Sequence, residues 1–276
     1  PAAAVLADQY AEVADFFSLG GHSLLAAQLA ARLGRALDHQ IPMRAVFDHP
    51  TIGRLAAWLA SRTQDAAAVI PRLGAETPAP LSLMQQRVWY LEQLHPGRTV
   101  YNVPSAHRLQ GALDRDALQA AFAQLVERQS VLRTVIGQHE GAPYQHVLEK
   151  VDATLTCDDL RGLEGDAQEG ELARRMQDEI ARPFDLVRGP LFRARLFALS
   201  DDEHVLFFMA HHLVWDGWSF DLFYDEMAAL YAAERDGRAA EVPQLPVTYA
   251  DFSAWHNDWI GGRELARQLA FWQARL

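Results

Sequence analysis

Ser23 lies in a local sequence that suggests covalent chemistry. It follows Gly20 and Gly21 and directly precedes a leucine-rich segment with helical spacing, so we expect its hydroxyl at a helix N-terminus. The free backbone N–H groups and the helix dipole favour an anion at such a position. A phosphodiester on Ser23 would therefore be well placed. The competing interpretation is that Ser23 only caps the helix, as serines before apolar helices ordinarily do.

A second candidate group lies much later, where His211 and His212 end the apolar run 205–210 and are followed by Asp216 and Gly217. Neighbouring strand residues point to opposite faces, so at most one of the two histidines faces a given cavity. That one can be catalytic while the other packs. The alternatives are a histidine pair that ends a strand before an Asp-Gly turn, and a metal site. A metal site is disfavoured because no further cluster of ligands is evident.

The serine belongs to an all-helical region, residues 1–61, which is rich in alanine and leucine. Four leucines recur at every fourth position and predict one buried helix face: Leu25, Leu29, Leu33 and Leu37. Thr51 is a candidate N-cap for a second helix. Residues 62–80 contain three prolines without sustained periodicity, which predicts a semi-extended linker.

The histidines belong to a mixed α and β region, residues 81–276. Asp114 is a candidate N-cap for one of its helices. The run 205–210 is apolar without alternation, as in a strand covered on both faces. Further helices are predicted from Ser219 and from Glu264 onward.

Composition excludes several function classes. The formal net charge of −11 disfavours binding to nucleic acid phosphates. The apolar runs are far shorter than the roughly 18 residues of a membrane helix. Cys157 is the only cysteine, so no internal disulfide can form. A cytoplasmic location is the prediction that fits best.

Residues 15–29 closely resemble the core motif of the peptidyl carrier (thiolation) domains of nonribosomal peptide synthetases, and residues 46–52 resemble a later carrier segment. The resemblance implies a small helix bundle in which Ser23 bears covalently attached 4′-phosphopantetheine. One departure is that residues 1–13 are short for the helix and loop that normally precede this motif. The first helix of the carrier bundle is therefore expected to be incomplete.

The pattern His-His-x-x-x-Asp-Gly is the signature of the condensation domain superfamily, whose lobes are of chloramphenicol acetyltransferase type. Four further segments resemble condensation motifs: residues 82–89, 127–134, 183–191 and 249–255. The fold class implied is therefore a small all-α carrier bundle followed by an α/β (α+β) lobe. The chain is expected to hold only the N-terminal lobe, without the C-terminal lobe, and to be inactive in condensation by itself. The departures from the family pattern are Met84, Gln129 with Ser130, and Trp215.

By this resemblance, His212 is the residue that contacts the attacking amine, as base or as a positioning partner. His211 and Gly217 complete the motif, with Gly217 permitting a turn. Asp216 is expected to fix the loop, with Arg133 a candidate partner, and Trp215 is expected to tune the substrate channel.

The implied function is amide bond formation between a donor acyl or peptidyl thioester on the carrier and an aminoacyl acceptor on a downstream carrier domain. Further implied partners are a phosphopantetheinyl transferase and an upstream adenylation domain. Two alternatives stay open. An epimerisation domain shares the histidine motif, although residues 218–221 look more like condensation, and a noncatalytic docking platform would recruit a partner to the carrier.

Overall fold

The structure, a computed structural model, describes residues 15–37, 41–61, 70–74 and 78–276. The chain divides between residues 69 and 70 into two compact units. The expectation about a shortened first helix in residues 1–13 lies outside the described residues.

The first unit contains three helices within its described residues: α1 Ser23–Leu37, α2 Met43–Asp48 and α3 Ile52–Ala60. The all-helical prediction for this part of the chain is confirmed. Thr51 caps α3, because its Oγ1 accepts a hydrogen bond from the backbone N–H of Arg54 at 3.3 Å.

The buried face of α1 differs from the one that the leucines predicted. Ala26 and Ala30 are the buried residues of this helix, whereas Leu25 and Leu37 are 40% and 48% exposed. A spacing of four residues advances 400° around a helix of 3.6 residues per turn, so the stripe drifts by about 40° at each step. A stripe from residue 25 to residue 37 therefore cannot stay on one face. The prediction holds for Leu29 and Leu33, which pack against the core of the first unit, and is wrong for Leu25 and Leu37.

The second unit is mixed α and β, as predicted. Its helices are α4 Leu83–Leu94, α5 Arg115–Arg128, α6 Gly165–Ile180, α7 Gly217–Asp236, α8 Tyr249–Trp259 and α9 Leu265–Gln273. Its strands are β1 Ala79–Pro80, β2 Asn102–Gln110, β3 Thr134–His139, β4 Ala142–Val147, β5 Thr156–Asp159, β6 Phe192–Ala198 and β7 Glu203–His211. Asp114 caps α5 through hydrogen bonds from two backbone N–H groups. None of the described helices combines the length and apolar character needed to cross a membrane.

Two sheets organise this unit. The larger one has the strand order β2-β7-β6-β5, in which β7 is antiparallel to both of its neighbours and β5 is parallel to β6. The smaller one, β1-β4-β3, is antiparallel. β7 is therefore an inner strand, and its last residue, His211, pairs with Asn102 of β2.

Both faces of β7 are covered, as the unbroken apolar run predicted. One face packs in a core cluster that also holds residues of α5 and α7, and the other packs in a cluster with α6. The residues alternate between these clusters: Leu206, Phe208 and Ala210 in the first, and Val205, Phe207 and Met209 in the second. His211 is thus the last residue of a strand that is buried over nearly its whole length, and His212 follows directly after it.

Candidate functional sites

The segment before Ser23 folds into a tight turn. Asp15 Oδ1 accepts the backbone N–H of Ser18 at 3.1 Å, and Ser18 Oγ donates to the Asp15 carbonyl at 2.7 Å. Gly20 has a φ of 93°, a conformation that favours glycine. At Gly21, a Cβ atom would lie 2.4 Å from the Phe16 ring. Both glycines are therefore required by the turn that leads into α1.

Ser23 is the first residue of α1 and is exposed. The first turn is closed by the Ala26 N–H, which donates to the His22 carbonyl at 2.8 Å. Within the described part of the chain, the Ser23 hydroxyl has no hydrogen-bond partner. It therefore does not serve as a capping group here. An anionic phosphodiester fits this position, since unpaired backbone N–H groups and the positive end of the helix dipole lie beside it.

His212 follows the end of β7 and is exposed. Its backbone N–H donates to the Tyr101 carbonyl at 2.8 Å, and its Nδ1 lies 2.6 Å from the Trp215 carbonyl oxygen. A carbonyl oxygen only accepts hydrogen bonds, so Nδ1 carries the proton. In the neutral ring the lone pair is then on Nε2, the nitrogen available to a reacting group.

His211 is buried, with 2% of its surface exposed. Its Nδ1 accepts the Leu213 N–H at 3.2 Å, and its Nε2 lies 3.6 Å from Glu92 Oε1. Burial, with a smaller contribution from His212, lowers the pKa of His211 to about 4. Burial also raises the pKa of Glu92. His211 is therefore a neutral packing group, which is the arrangement expected for one member of the pair.

Asp216 is the N-cap of α7. Its Oδ1 accepts the backbone N–H of Ser219 at 3.0 Å and the Ser219 hydroxyl at 2.7 Å, while its own N–H donates to Ser219 Oγ at 3.2 Å. Arg133 instead donates to the carbonyls of Leu148, Glu149 and Glu127. The suggestion that Arg133 pairs with Asp216 is wrong, because the cap and the arginine each have other partners.

Gly217 is the first residue of α7, and the structure does not require glycine there. Its φ is not positive, and a Cβ atom would meet nothing within 4 Å. The expectation that Gly217 permits a turn is wrong, since the chain enters the helix directly from the extended backbone of Asp216.

Trp215 packs in the core. It is 6% exposed, and its ring contacts those of Phe208, Phe220 and Phe223 at centroid distances of 4.8, 5.4 and 5.7 Å. The expectation that its side chain tunes a substrate channel is therefore wrong. Trp215 contributes to the site only through its backbone carbonyl, which accepts a hydrogen bond from His212 Nδ1.

Replacing Asp216 by alanine is expected to lower the free energy of unfolding by about 0.5–2 kcal/mol, the usual cost of losing an N-cap. The melting temperature should fall by a few degrees. Thermal denaturation of Asp216→Ala beside the parent chain tests this. Asp225→Ala, an exposed position within the same helix, is the control and should not be destabilised; equal melting temperatures for all three proteins would contradict the capping role.

Family models match both units of the chain. The model described as a condensation domain matches residues 75–276, and the model described as a phosphopantetheine attachment site matches residues 8–59. Among curated relatives, a component of the linear gramicidin synthase of Brevibacillus parabrevis is 41% identical over 264 residues, or 95% of this chain and 5% of the relative. The dimodular nonribosomal peptide synthase of Bacillus subtilis (strain 168) is 38% identical over 290 residues, or 100% of this chain and 12% of the relative.

Solved structures give the same result. The first condensation domain of the calcium-dependent antibiotic synthetase, in complex with substrate analogue 2a, matches with a TM-score of 0.65 and 29% identity over 72% of this chain and 47% of that one. The X-domain in its complex with OxyB from teicoplanin biosynthesis matches with a TM-score of 0.63 and 30% identity, over 75% of this chain and 46% of that one. The chain thus spans about half of these solved chains and no more than 12% of the two curated relatives. These matches confirm the predicted fold class.

Proposed function

Because the chain belongs to the condensation domain family and carries a phosphopantetheine attachment domain ahead of that domain, we propose that it is the donor-side portion of an amide-forming step in a nonribosomal peptide synthetase. The observation that carries the proposal is the presentation of His212. It is an exposed imidazole at the end of an inner strand, with Nδ1 occupied by the Trp215 carbonyl and Nε2 available.

Ser23 is the proposed attachment residue. Its hydroxyl is exposed and without a partner among the described residues, and the turn before it depends on two glycines. When bound, 4′-phosphopantetheine supplies the thiol on which an acyl group is held as a thioester. The residues at the start of α1 would stabilise the phosphodiester anion through their backbone N–H groups.

His212 is proposed to act on the amine. In the reaction, the amine nitrogen attacks the thioester carbonyl carbon, the C–S bond breaks, and the nitrogen loses a proton as the thiol is released. An α-amino group has a pKa of about 8, so an appreciable fraction is already neutral at pH 7. Positioned base catalysis contributes roughly 100- to 10,000-fold, whereas orientation can reach effective molarities of about 10⁵ M or more. We therefore assign to Nε2 mainly the orientation of the amine and the management of charge in the transition state.

The proposed partners follow from this chemistry. A phosphopantetheinyl transferase would modify Ser23, an upstream adenylation domain would load the donor, and a downstream carrier domain would present the aminoacyl acceptor.

The activity is tested in the synthetase polypeptide that contains this chain. With Ser23 loaded with a donor and an aminoacyl acceptor supplied on a second carrier, we expect mass spectrometry to detect an amide product on the acceptor carrier. In deuterated buffer, exchange at the donor α-carbon without an amide product would support epimerisation instead. Absence of both reactions in correctly loaded protein would exclude both activities.

One comparison favours a second candidate, a docking platform, because the X-domain match was solved in complex with another protein, OxyB. In that case the synthetase would bind a partner enzyme through this unit and form no amide. The intact residues His211, His212 and Asp216 support condensation over docking. The transfer assay separates the two, since a docking platform gives no amide even with both carriers loaded.

A further inference from the structure

Helix α4 buries two residues, and both are polar. Gln85 and Glu92 are 3% and 8% exposed, and their separation of seven residues, two helical turns, places them on one face. Burying a polar side chain is unfavourable unless it finds a partner. Gln85 is hydrogen-bonded to the residue that follows His212, and Glu92 lies beside the residue that precedes it.

Gln85 holds the residue that follows His212. Its Nε2 donates to the Leu213 carbonyl at 2.9 Å and to Gln145 Oε1 at 3.2 Å, and its Oε1 accepts the Ser82 N–H at 3.0 Å. Gln145 in turn donates to the Pro80 carbonyl at 2.9 Å. A carbonyl can only accept and an N–H can only donate, so this buried network fixes the orientation of both amide groups.

Glu92 lies beside the residue that precedes His212. Its Oε1 is 3.6 Å from His211 Nε2, which is longer than a hydrogen bond, and both groups are buried. The opposite nitrogen of His211 accepts the Leu213 N–H. Leu213 is thus held through its carbonyl by Gln85 and through its N–H by His211.

We propose that Gln85 is a positioning residue for His212, acting through the Leu213 carbonyl from the buried face of α4. His212 is the exposed residue between His211 and Leu213, two buried residues that are held by hydrogen bonds. The Nδ1 contact to Trp215 requires the backbone between residues 212 and 215 to keep its turn. The Gln85 amide stabilises that turn from outside the segment.

The test variant is Gln85→Glu. It keeps the oxygen that accepts the Ser82 N–H, so the capping box at the start of α4 survives. A protonated glutamic acid at this position can donate only one of the two hydrogen bonds, and an ionised one donates neither and places a carboxylate against the Leu213 carbonyl. Gln93→Glu, the same change at an exposed position of the same helix, is the matched control. Gln85→Met keeps the volume and removes the hydrogen bonds, and it serves if Gln85→Glu does not fold.

The first measurement is the ¹⁵N chemical shift of the His212 ring in the ¹⁵N-histidine-labelled chain. In the parent and in Gln93→Glu, Nδ1 is expected to be the protonated nitrogen. In folded Gln85→Glu or Gln85→Met, the ring should show a mixture of tautomers. A His212 ring unchanged in both folded Gln85 variants would overturn the proposal.

The second measurement is kcat for amide formation in the synthetase that contains this chain, and it rests on the proposed function. Displacement of a reacting group by about 1 Å can cost roughly 100-fold in rate, so kcat is expected to fall by that order with KM unchanged. A rise in KM alone would overturn the positioning role. If the parent forms no amide, the proposed function fails, and the tautomer measurement still decides whether Gln85 positions His212.

Discussion

Replacement of Ser23 by alanine is expected to abolish covalent loading of the chain with phosphopantetheine. After incubation with coenzyme A, Mg²⁺ and a promiscuous phosphopantetheinyl transferase, the parent should gain one phosphopantetheine by intact mass and Ser23→Ala should gain none. The physical basis is the exposed Ser23 hydroxyl at the start of α1, which makes no hydrogen bond to any other described residue. The adjacent helix N-terminus favours the phosphodiester charge, an effect worth about 0.3–1 kcal/mol at an exposed site.

Ser18 offers a matched control, because it is the only other serine in the segment matched by the attachment-site model. It is exposed as well, but its hydroxyl donates to the Asp15 carbonyl at 2.7 Å within the turn. Ser18→Ala should therefore load as completely as the parent. If Ser23→Ala still gains phosphopantetheine, another residue is the attachment site. A folded parent that stays unmodified would leave the second unit dependent on a donor from another source.

Local patterns were sufficient to predict the strand that leads to the histidines. The run 205–210 is apolar without alternation, and β7 is covered on both faces as that pattern requires. The caps at Thr51 and Asp114 were also predictable, because their side-chain oxygens accept hydrogen bonds from backbone N–H groups two or three residues later in the chain. These features depend on neighbours in sequence, which explains why the sequence alone reveals them.

The environment of His212 was not predictable in the same way. Its ring is held by the backbone carbonyl of Trp215, and its main chain by the carbonyl of Tyr101. Every residue has such a carbonyl, so side-chain identity carries no signal for these contacts. The core position of Trp215 depends on phenylalanines that come together only in the folded sheet and helix. For Gln85 the spacing of polar residues carries no signal, because Gln86 and Gln93 of α4 are also seven residues apart and both are exposed. The role of Gln85 follows only from the position of Leu213.

His212→Ala is expected to reduce kcat for amide formation by about 100-fold or more, because the group that orients the amine is lost. The side chain is exposed and its loss leaves no buried cavity, so the variant should remain folded and should still accept phosphopantetheine on Ser23. Transfer from loaded donor to acceptor carrier, followed by mass spectrometry, measures the effect in the synthetase. His139→Ala, at an exposed position at the end of β3, is the control and should leave the rate unchanged. An unaltered rate for His212→Ala would remove the role assigned to this residue.

His212→Gln separates the two roles that an available Nε2 can play. A glutamine carbonyl oxygen can accept a hydrogen bond from the amine, but it cannot take up its proton at neutral pH. If orientation dominates, as the neutral fraction of the amine and the size of proximity effects indicate, His212→Gln should retain much more activity than His212→Ala. If both variants lose activity equally, proton removal by Nε2 is the larger contribution. The Trp215 carbonyl then matters because it keeps the proton on Nδ1 and leaves Nε2 free to act as the base.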